Sequence, residues 1–313
     1  MINKRIFNML GYVLLFLGVS MIFSAIWSYI DNSDDLISIL NSSLITSIAG
    51  LFLIIITQLQ FLKIYPYITI KDNDKVDLSH KNGYTLVTLS WVMMTIFGSL
   101  PFYLYGGPFE NYIDAFFESI SGLTTTGATI LAFEDYSNIP RGLMFWRSFI
   151  QFIGGIGIIV FSIAILPLMG FGGVQLFRAE VAGPVADKLT PRVKQTATLL
   201  WTIYFGLIII QTIVLMIEGL TFYDSITHSF TTIATAGFST NPNSIGAYQP
   251  IVQYTIILFM IIAASSFSLH YLAIRRGRVE YFKDREFKVY ISLLVLFAFI
   301  FFADNYSKYL FRE

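Results

Sequence analysis

Seven runs of apolar residues, at roughly 6–30, 42–62, 84–105, 143–167, 196–217, 250–273 and 287–303, govern what this 313-residue chain can fold into. A helix needs about 20 such residues to cross the hydrocarbon core of a bilayer. The connections between the runs are too short for any sizeable soluble domain. Charged residues make up 13% of the chain, about half of the roughly 25% usual in a soluble domain and too few to cover one. A helical fold embedded in a membrane satisfies both observations. Lys4 and Arg5 precede the first run as they would in a signal peptide. That run is too long for a signal's apolar region and no small-residue cleavage site ends it, so it is read as a helix.

Other classes fall away. Twenty Lys and Arg balance twenty Asp and Glu, and with this hydrophobicity the chain is neither disordered nor a nucleic-acid binder. Without cysteine it has no disulfide framework, thiolate zinc site, iron–sulfur cluster or cysteine nucleophile. It contains no HExxH, GxSxG or GxxxxGK[ST] sequence, and His80, His228 and His270 fall at different sides or levels of the membrane. No triad or metal cluster can be assembled from them, and a non-enzyme is expected.

Basic residues give an orientation. Lys4 and Arg5, then Lys63, Lys71, Lys75 and Lys81, then Arg178, Lys188, Arg192 and Lys194, then Arg275, Arg276, Arg278, Lys283, Arg285 and Lys288 lie on alternate connections. These are 16 of the 20 basic residues, and the positive-inside rule places them, with the N-terminus, in the cytoplasm. The opposite connections, 31–41, 106–140 and 218–249, contain no Lys or Arg and carry Asp31, Asp34, Asp35, Glu110, Asp114, Glu118, Glu134, Asp135, Glu218 and Asp224. Two readings stand: the same rule seen from its other side, or an outer vestibule whose negative potential concentrates cations.

An internal repeat narrows the fold further. NYIDAFFESISGLTTTGATIL (111–131) and TFYDSITHSFTTIATAGFSTN (221–241) align at an offset of 110, pairing Asp114 with Asp224, Ser119 with Ser229, Thr125 with Thr235 and Gly127 with Gly237. Trp91 and Trp201, in the preceding helices, pair at the same offset. Each repeat reads as a full helix, a short segment (112–124 or 222–234), a polar Gly/Thr stretch and a second helix. The short segments cannot span a bilayer, and such lengths are often re-entrant. Asn111 and Thr221 are good N-caps with an acid three positions on, a capping-box spacing with Asp for Glu.

A short helix that stops midway directs its negative C-terminal end at the membrane centre. Non-helical backbone at that depth is tolerated only where protein buries it or it lines a water-filled cavity. There, free carbonyls can replace the water around a dehydrated cation. Glycine turns a carbonyl to the axis at positive φ without steric penalty, and threonine adds a hydroxyl and stiffness. The combination describes a cation selectivity filter.

SGLTTTGAT (121–129) and ATAGFST (234–240) resemble the first two pore loops of the Trk/Ktr/HKT superfamily of potassium transporters, most of all its bacterial TrkH branch. The similarity runs on through residues 154–184 and 267–287 and includes the two extra N-terminal helices of that branch. It implies an all-α integral membrane protein of helix–pore loop–helix units related to the K⁺-channel fold, here with about seven transmembrane helices and two re-entrant pore helices. The candidate ion-binding residues are Thr124, Thr125, Thr126, Gly127 and Ala128, with Ala234, Thr235, Ala236, Gly237 and Phe238. K⁺, the transported ion, would be held by the carbonyls of Thr125, Thr126, Gly127, Thr235, Ala236 and Gly237, and no cofactor is implied. Glycine instead of serine in the first loop favours K⁺ over the Na⁺-selective members. The resemblance also implies a bacterial inner membrane and a cytosolic nucleotide-binding, TrkA-like regulatory subunit.

The expected organisation is two N-terminal helices (1–66), a first repeat (83–167), a cytoplasmic amphipathic linker (168–194), a second repeat (195–274) and the first helix of an incomplete third repeat (286–313). The family has four loops and this sequence two. The chain is therefore expected to be a fragment of a longer one, or a short form completed by copies of itself or by a complementary chain. A non-conducting partner that regulates full-length subunits is the alternative. A secondary transporter with broken helices predicts inverted repeats, whereas both repeats here begin on the cytoplasmic side.

Further residues have two readings each. Arg147, inside an apolar helix, is either functional or an ion-pair partner of Glu118 or Asp135. Glu118 and His228 occupy equivalent positions and pack behind the filter, or His228 senses pH. Gly154, Gly155 and Gly157 follow no strand, so close helix packing is read in place of a dinucleotide loop. Pro167 with Gly170, Gly172 and Gly173 ends that helix, and 174–194 forms an interfacial linker on which the regulatory subunit would dock.

Overall fold

The computed structural model describes residues 4–59, 80–165, 189–277 and 279–310, and among these the protein is helical with no strand. Pro167, the glycines after it and the linker up to residue 188 lie outside the described residues. Helices α1 (Lys4–Asp31) and α2 (Asp35–Leu59) form a hairpin. Lipid tails are as apolar as leucine, so helices in a bilayer associate through close packing and polar contacts. Small residues supply both here. A Cβ on Gly50 would run into the backbone of Gly11 and Leu15. Ser43 donates to the Gly18 carbonyl at 2.7 Å, and Asn8 donates to Thr57 at 2.8 Å.

The crossing expected at 84–105 is present as the apolar stretch Asn82–Tyr105, interrupted at Ser99 between α3 (His80–Gly98) and α4 (Leu100–Tyr105). Pro101 explains the interruption: the residue lacks an N–H and its ring crowds the preceding turn. Trp146 donates its indole N–H to the Gly98 carbonyl at the break, at 2.9 Å. The short helix α5 (Tyr112–Leu123) has 12 residues, roughly 18 Å at 1.5 Å each, against about 30 Å of hydrocarbon. Then come α6 (Arg141–Ile165), α7 (Leu189–Ile217) and a second 12-residue helix, α8 (Phe222–Ile233).

The crossing expected at 250–273 is not one straight helix. Here α9 (Pro250–Ala263) and α10 (Phe267–Arg276) are bent by 92° about residues 264–266. Ser265 donates to the Ile261 carbonyl at 2.9 Å, a back-bond that bends helices. His270 lies 2.9 Å from the Ile262 carbonyl at the bend, which also accepts from the Ser265 N–H at 3.0 Å. After α11 (Val279–Lys283), α12 (Arg285–Leu310) closes the described chain, with none of its apolar window buried.

Among the described residues, five helical stretches are long and apolar enough to cross a membrane, or six with the bent pair. The chain is a multi-pass membrane protein. Helix α6, the remaining expected crossing, is 25 residues long. It is also the axis of the fold, packed against α1, α5, α7 and α8. Rings of Phe145, Phe149 and Phe152 follow one another along it at 5.5 and 5.2 Å, and Phe230 of α8 meets Phe152 at 4.8 Å. Its N-terminus is held by the hairpin. Asp35 accepts from the Leu143 N–H at 3.0 Å, and Arg141 makes a forked pair with Asp31.

Candidate pore-loop site

The two short helices begin alike. Asn111 accepts from the Ile113 N–H at 3.1 Å, and Thr221 accepts from the Asp224 N–H at 3.1 Å while donating to the Asp224 carboxylate at 2.7 Å. The capping spacing therefore forms with Asp224, whereas Asn111 serves the N–H one residue earlier.

They end identically. In α5 the N–H groups of Thr125 and Thr126 donate to the carbonyls of Gly122 (3.0 Å) and Ser121 (2.9 Å). In α8 those of Thr235 and Ala236 donate to Thr232 (3.0 Å) and Thr231 (2.9 Å). This bond pair is the Schellman stop, which places the residue after the cap in the left-handed region, usually as glycine. Here that residue is Thr125 at φ 55° and Thr235 at φ 53°. A β-branched side chain there is an outlier at about 1–2 kcal/mol, and such strain collects at functional sites. Two residues on, Gly127 and Gly237 have φ of 75° and 100°. The offset of 110 thus holds for the backbone as well as the sequence.

The ten candidate residues separate. Thr124 and Ala234 are the C-caps. Thr124 donates its hydroxyl to the Ile120 carbonyl at 2.7 Å. The Ala128 carbonyl accepts from the Ser121 hydroxyl at 2.5 Å. Phe238 is buried, and its N–H donates to Gln151 at 3.3 Å. Thr125, Thr126 and Gly127, with Thr235, Ala236 and Gly237, remain as the backbone beyond each stop. The two loops meet: a Cβ on Gly127 would run into the Ala236 carbonyl, whereas one on Gly237 would enter open space among the described residues.

Helix α6 seats both loops. A Cβ on Gly154 would collide with the Leu123 carbonyl at the end of α5. One on Gly155 would collide with the Tyr204 hydroxyl and lie 3.2 Å from Ala234 at the end of α8. The close packing read from these glycines is packing against the two helix ends. Arg147 pairs with Glu118, Nε to Oε1 at 2.5 Å, both buried, while Asp135 accepts from the Ala132 N–H at 2.7 Å. His228, at the position equivalent to Glu118, lies 3.0 Å from the Tyr248 hydroxyl. The acidic connections also divide: Asp31, Asp35 and Glu118 are committed within the protein, and Glu110 and Glu134 are exposed. Gln151 and Ser121 escaped the sequence reading. Gln151 had a signal, being a polar residue at membrane depth one turn beyond Arg147.

Residues 49–303 match the family model TrkH, described as a cation transport protein. The Trk system potassium uptake protein TrkH of Vibrio parahaemolyticus is 44% identical over 227 residues, covering 71% of this chain and 46% of that protein. TrkH of Escherichia coli is 42% identical over 223 residues (70% and 46%), and TrkG of the same organism 34% over 221 (70% and 45%). The crystal structure of the potassium transporter TrkH from Vibrio parahaemolyticus superimposes with a TM-score of 0.77 and 32% identity, over 94% of this chain and 57% of that one. This chain spans about half the length of the relatives it matches. By the extent of the family match, the chain belongs to the TrkH cation transport protein family.

Proposed function

We propose that this chain supplies two of the loops of a K⁺-uptake pore, with the carbonyls of Thr125, Thr126, Gly127, Thr235, Ala236 and Gly237 replacing water around the ion. The observation that carries the reading is the repeated backbone, with threonine then glycine at positive φ directly beyond each short helix. The names of the relatives support K⁺ as the ion. Basic residues on alternate connections support a cytoplasmic N-terminus, and the bacterial relatives support an inner-membrane location. The membrane potential would draw the ion inward with about 2.3 kcal/mol per charge per 100 mV. A TrkA-like nucleotide-binding ring is the proposed cytosolic partner, at the linker 168–194.

Two loops do not enclose an ion, and lone filter backbone would face lipid. Further loops come from residues beyond this sequence, from another copy or from a complementary chain. The space beside Gly237, open among the described residues, would admit such a neighbour; the second reading is a non-conducting half that regulates complete subunits. Growth of a K⁺-uptake-deficient strain on this chain alone would exclude that second reading. The test of the filter is K⁺ and Na⁺ flux through the complete assembly with Gly127→Ser or Gly237→Ser. Both should lose K⁺ preference, and unchanged discrimination in both variants would overturn the assignment.

A further inference from the structure

We infer that Arg147 is a positioning residue that fixes the spacing between the two loops and so sets the K⁺ preference of the filter, an inference that rests on the filter reading above. From α6 its guanidinium reaches both loops at once. Nε donates to Glu118 at 2.5 Å, and Nη1 donates to the Ser239 carbonyl at 2.8 Å, two residues beyond Gly237. Its carbon lies 3.7 Å from the centre of the Phe238 ring. Glu118 holds the exit of the first loop. It accepts from the Thr129 hydroxyl at 2.9 and 3.1 Å and from the Ile130 N–H at 3.1 Å. A continuous path therefore runs from Thr129 and Ile130 through Glu118 and Arg147 to Phe238 and Ser239. Arg147 is 2% exposed and Glu118 is fully buried.

Burying two charges is a poor way to gain stability, since well-packed apolar residues often do as well or better. What the pair supplies is geometry. A guanidinium is a rigid planar fork whose donors leave in fixed directions, and charge-assisted bonds to it are short and directional. The aromatic face of Phe238 fixes the plane of that fork. A filter discriminates by the number and placement of its carbonyls, so a part that sets one loop against the other acts on selectivity. Repeat symmetry does not demand it. The offset of 110 places His228 opposite Glu118 and Ile257 opposite Arg147. His228 bonds within its own repeat to Tyr248, and Ile257 is 45% exposed.

The test compares wild type, Arg147→Lys, Arg147→Gln and the double variant Glu118→Gln/Arg147→Gln in the complete assembly. The readouts are K⁺-over-Na⁺ preference of uptake in cells lacking their own K⁺ uptake, and the amount of protein in the membrane. The double variant leaves no orphaned charge, so it should accumulate within about twofold of wild type. Its K⁺ preference should nevertheless fall about tenfold, the loss of one charge-assisted bond, as should that of Arg147→Gln, with Arg147→Lys between. A pair with a purely structural role would leave the preference of the accumulated double variant unchanged, and that result overturns the inference. Should the double variant not accumulate, Thr129→Val decides instead. It removes one hydroxyl link to Glu118 and should lower the preference about threefold, and an unchanged preference again overturns the inference. A wild type without K⁺ preference would instead overturn the filter reading, and the positioning role would fall with it.

Discussion

Three glycines on α6 provide a graded probe of how tightly the loop ends are seated. In a helix interior Gly→Ala is worth about 1 kcal/mol of intrinsic stabilisation. At Gly157 the added methyl would meet, among the described residues, only Trp91, at 3.7 and 4.0 Å, which is ordinary contact. Gly157→Ala should therefore keep that gain, raising stability by about 1 kcal/mol. At Gly154 the three nearest atoms all belong to the Leu123 backbone, its carbonyl oxygen foremost. Backbone cannot swing aside, and overpacking of this kind costs about 1–3 kcal/mol. Gly154→Ala should end about 1–2 kcal/mol less stable than wild type once the helix gain is subtracted. Gly155→Ala falls between, because it meets the Tyr204 hydroxyl, a side-chain end, though one only 1% exposed. Thermal unfolding of the purified protein in detergent, followed by tryptophan fluorescence, should rank the variants 157 above wild type, 155 near it and 154 below. Equal stability of Gly154→Ala and Gly157→Ala would refute the idea that α5 ends against this helix.

Asp35→Ala removes the acceptor for the Leu143 N–H at 3.0 Å from a fully buried position and should lower stability by about 1–2 kcal/mol, as loss of an N-cap does. Asp35→Asn retains an acceptor and should lose much less in the same melting assay. Trp146→Phe deletes the 2.9 Å bond to the Gly98 carbonyl, leaving a buried acceptor unpaired at about 1–3 kcal/mol. Denaturant titration in detergent should show that loss, and a stability equal to wild type would contradict the role given to this indole at the α3–α4 break.

The short helices were legible because they rest on local signals. The expected segments 112–124 and 222–234 end within one residue of Tyr112–Leu123 and Phe222–Ile233, since caps and Gly/Thr stops are written in adjacent residues. The breaks were not, because hydropathy averages over a run and is blind to a broken ladder. Pro101 accompanies the one between α3 and α4, while Ser265 and Ser266, at the 92° bend, are ordinary helix residues in lipid. Left-handed threonine at 125 and 235 runs against local preference, so propensity alone would assign that conformation to glycine. The choice of Glu118 over Asp135 by Arg147 depends on how α5 lies against α6, across 29 residues of sequence. Gln151 belongs to the same class: its polarity was visible, but its partner, the Phe238 N–H, lies 87 residues away.

The clasp of the α1–α2 hairpin on α6 also bears on how the protein is made. Chains emerge N-terminus first, so Asp31 and Asp35 are in the membrane before α6 is synthesised. A helix arriving there brings unsatisfied N–H groups at its start, Arg141 beside them and Arg147 deeper in. The hairpin should then serve as an assembly template that gives α6 its depth, and with it the seat of both loop ends at Gly154 and Gly155. Translated without residues 1–59, the rest of the chain should insert poorly and be cleared. The same hairpin supplied as a separate polypeptide should restore its accumulation, and failure to do so would limit the clasp to the finished protein.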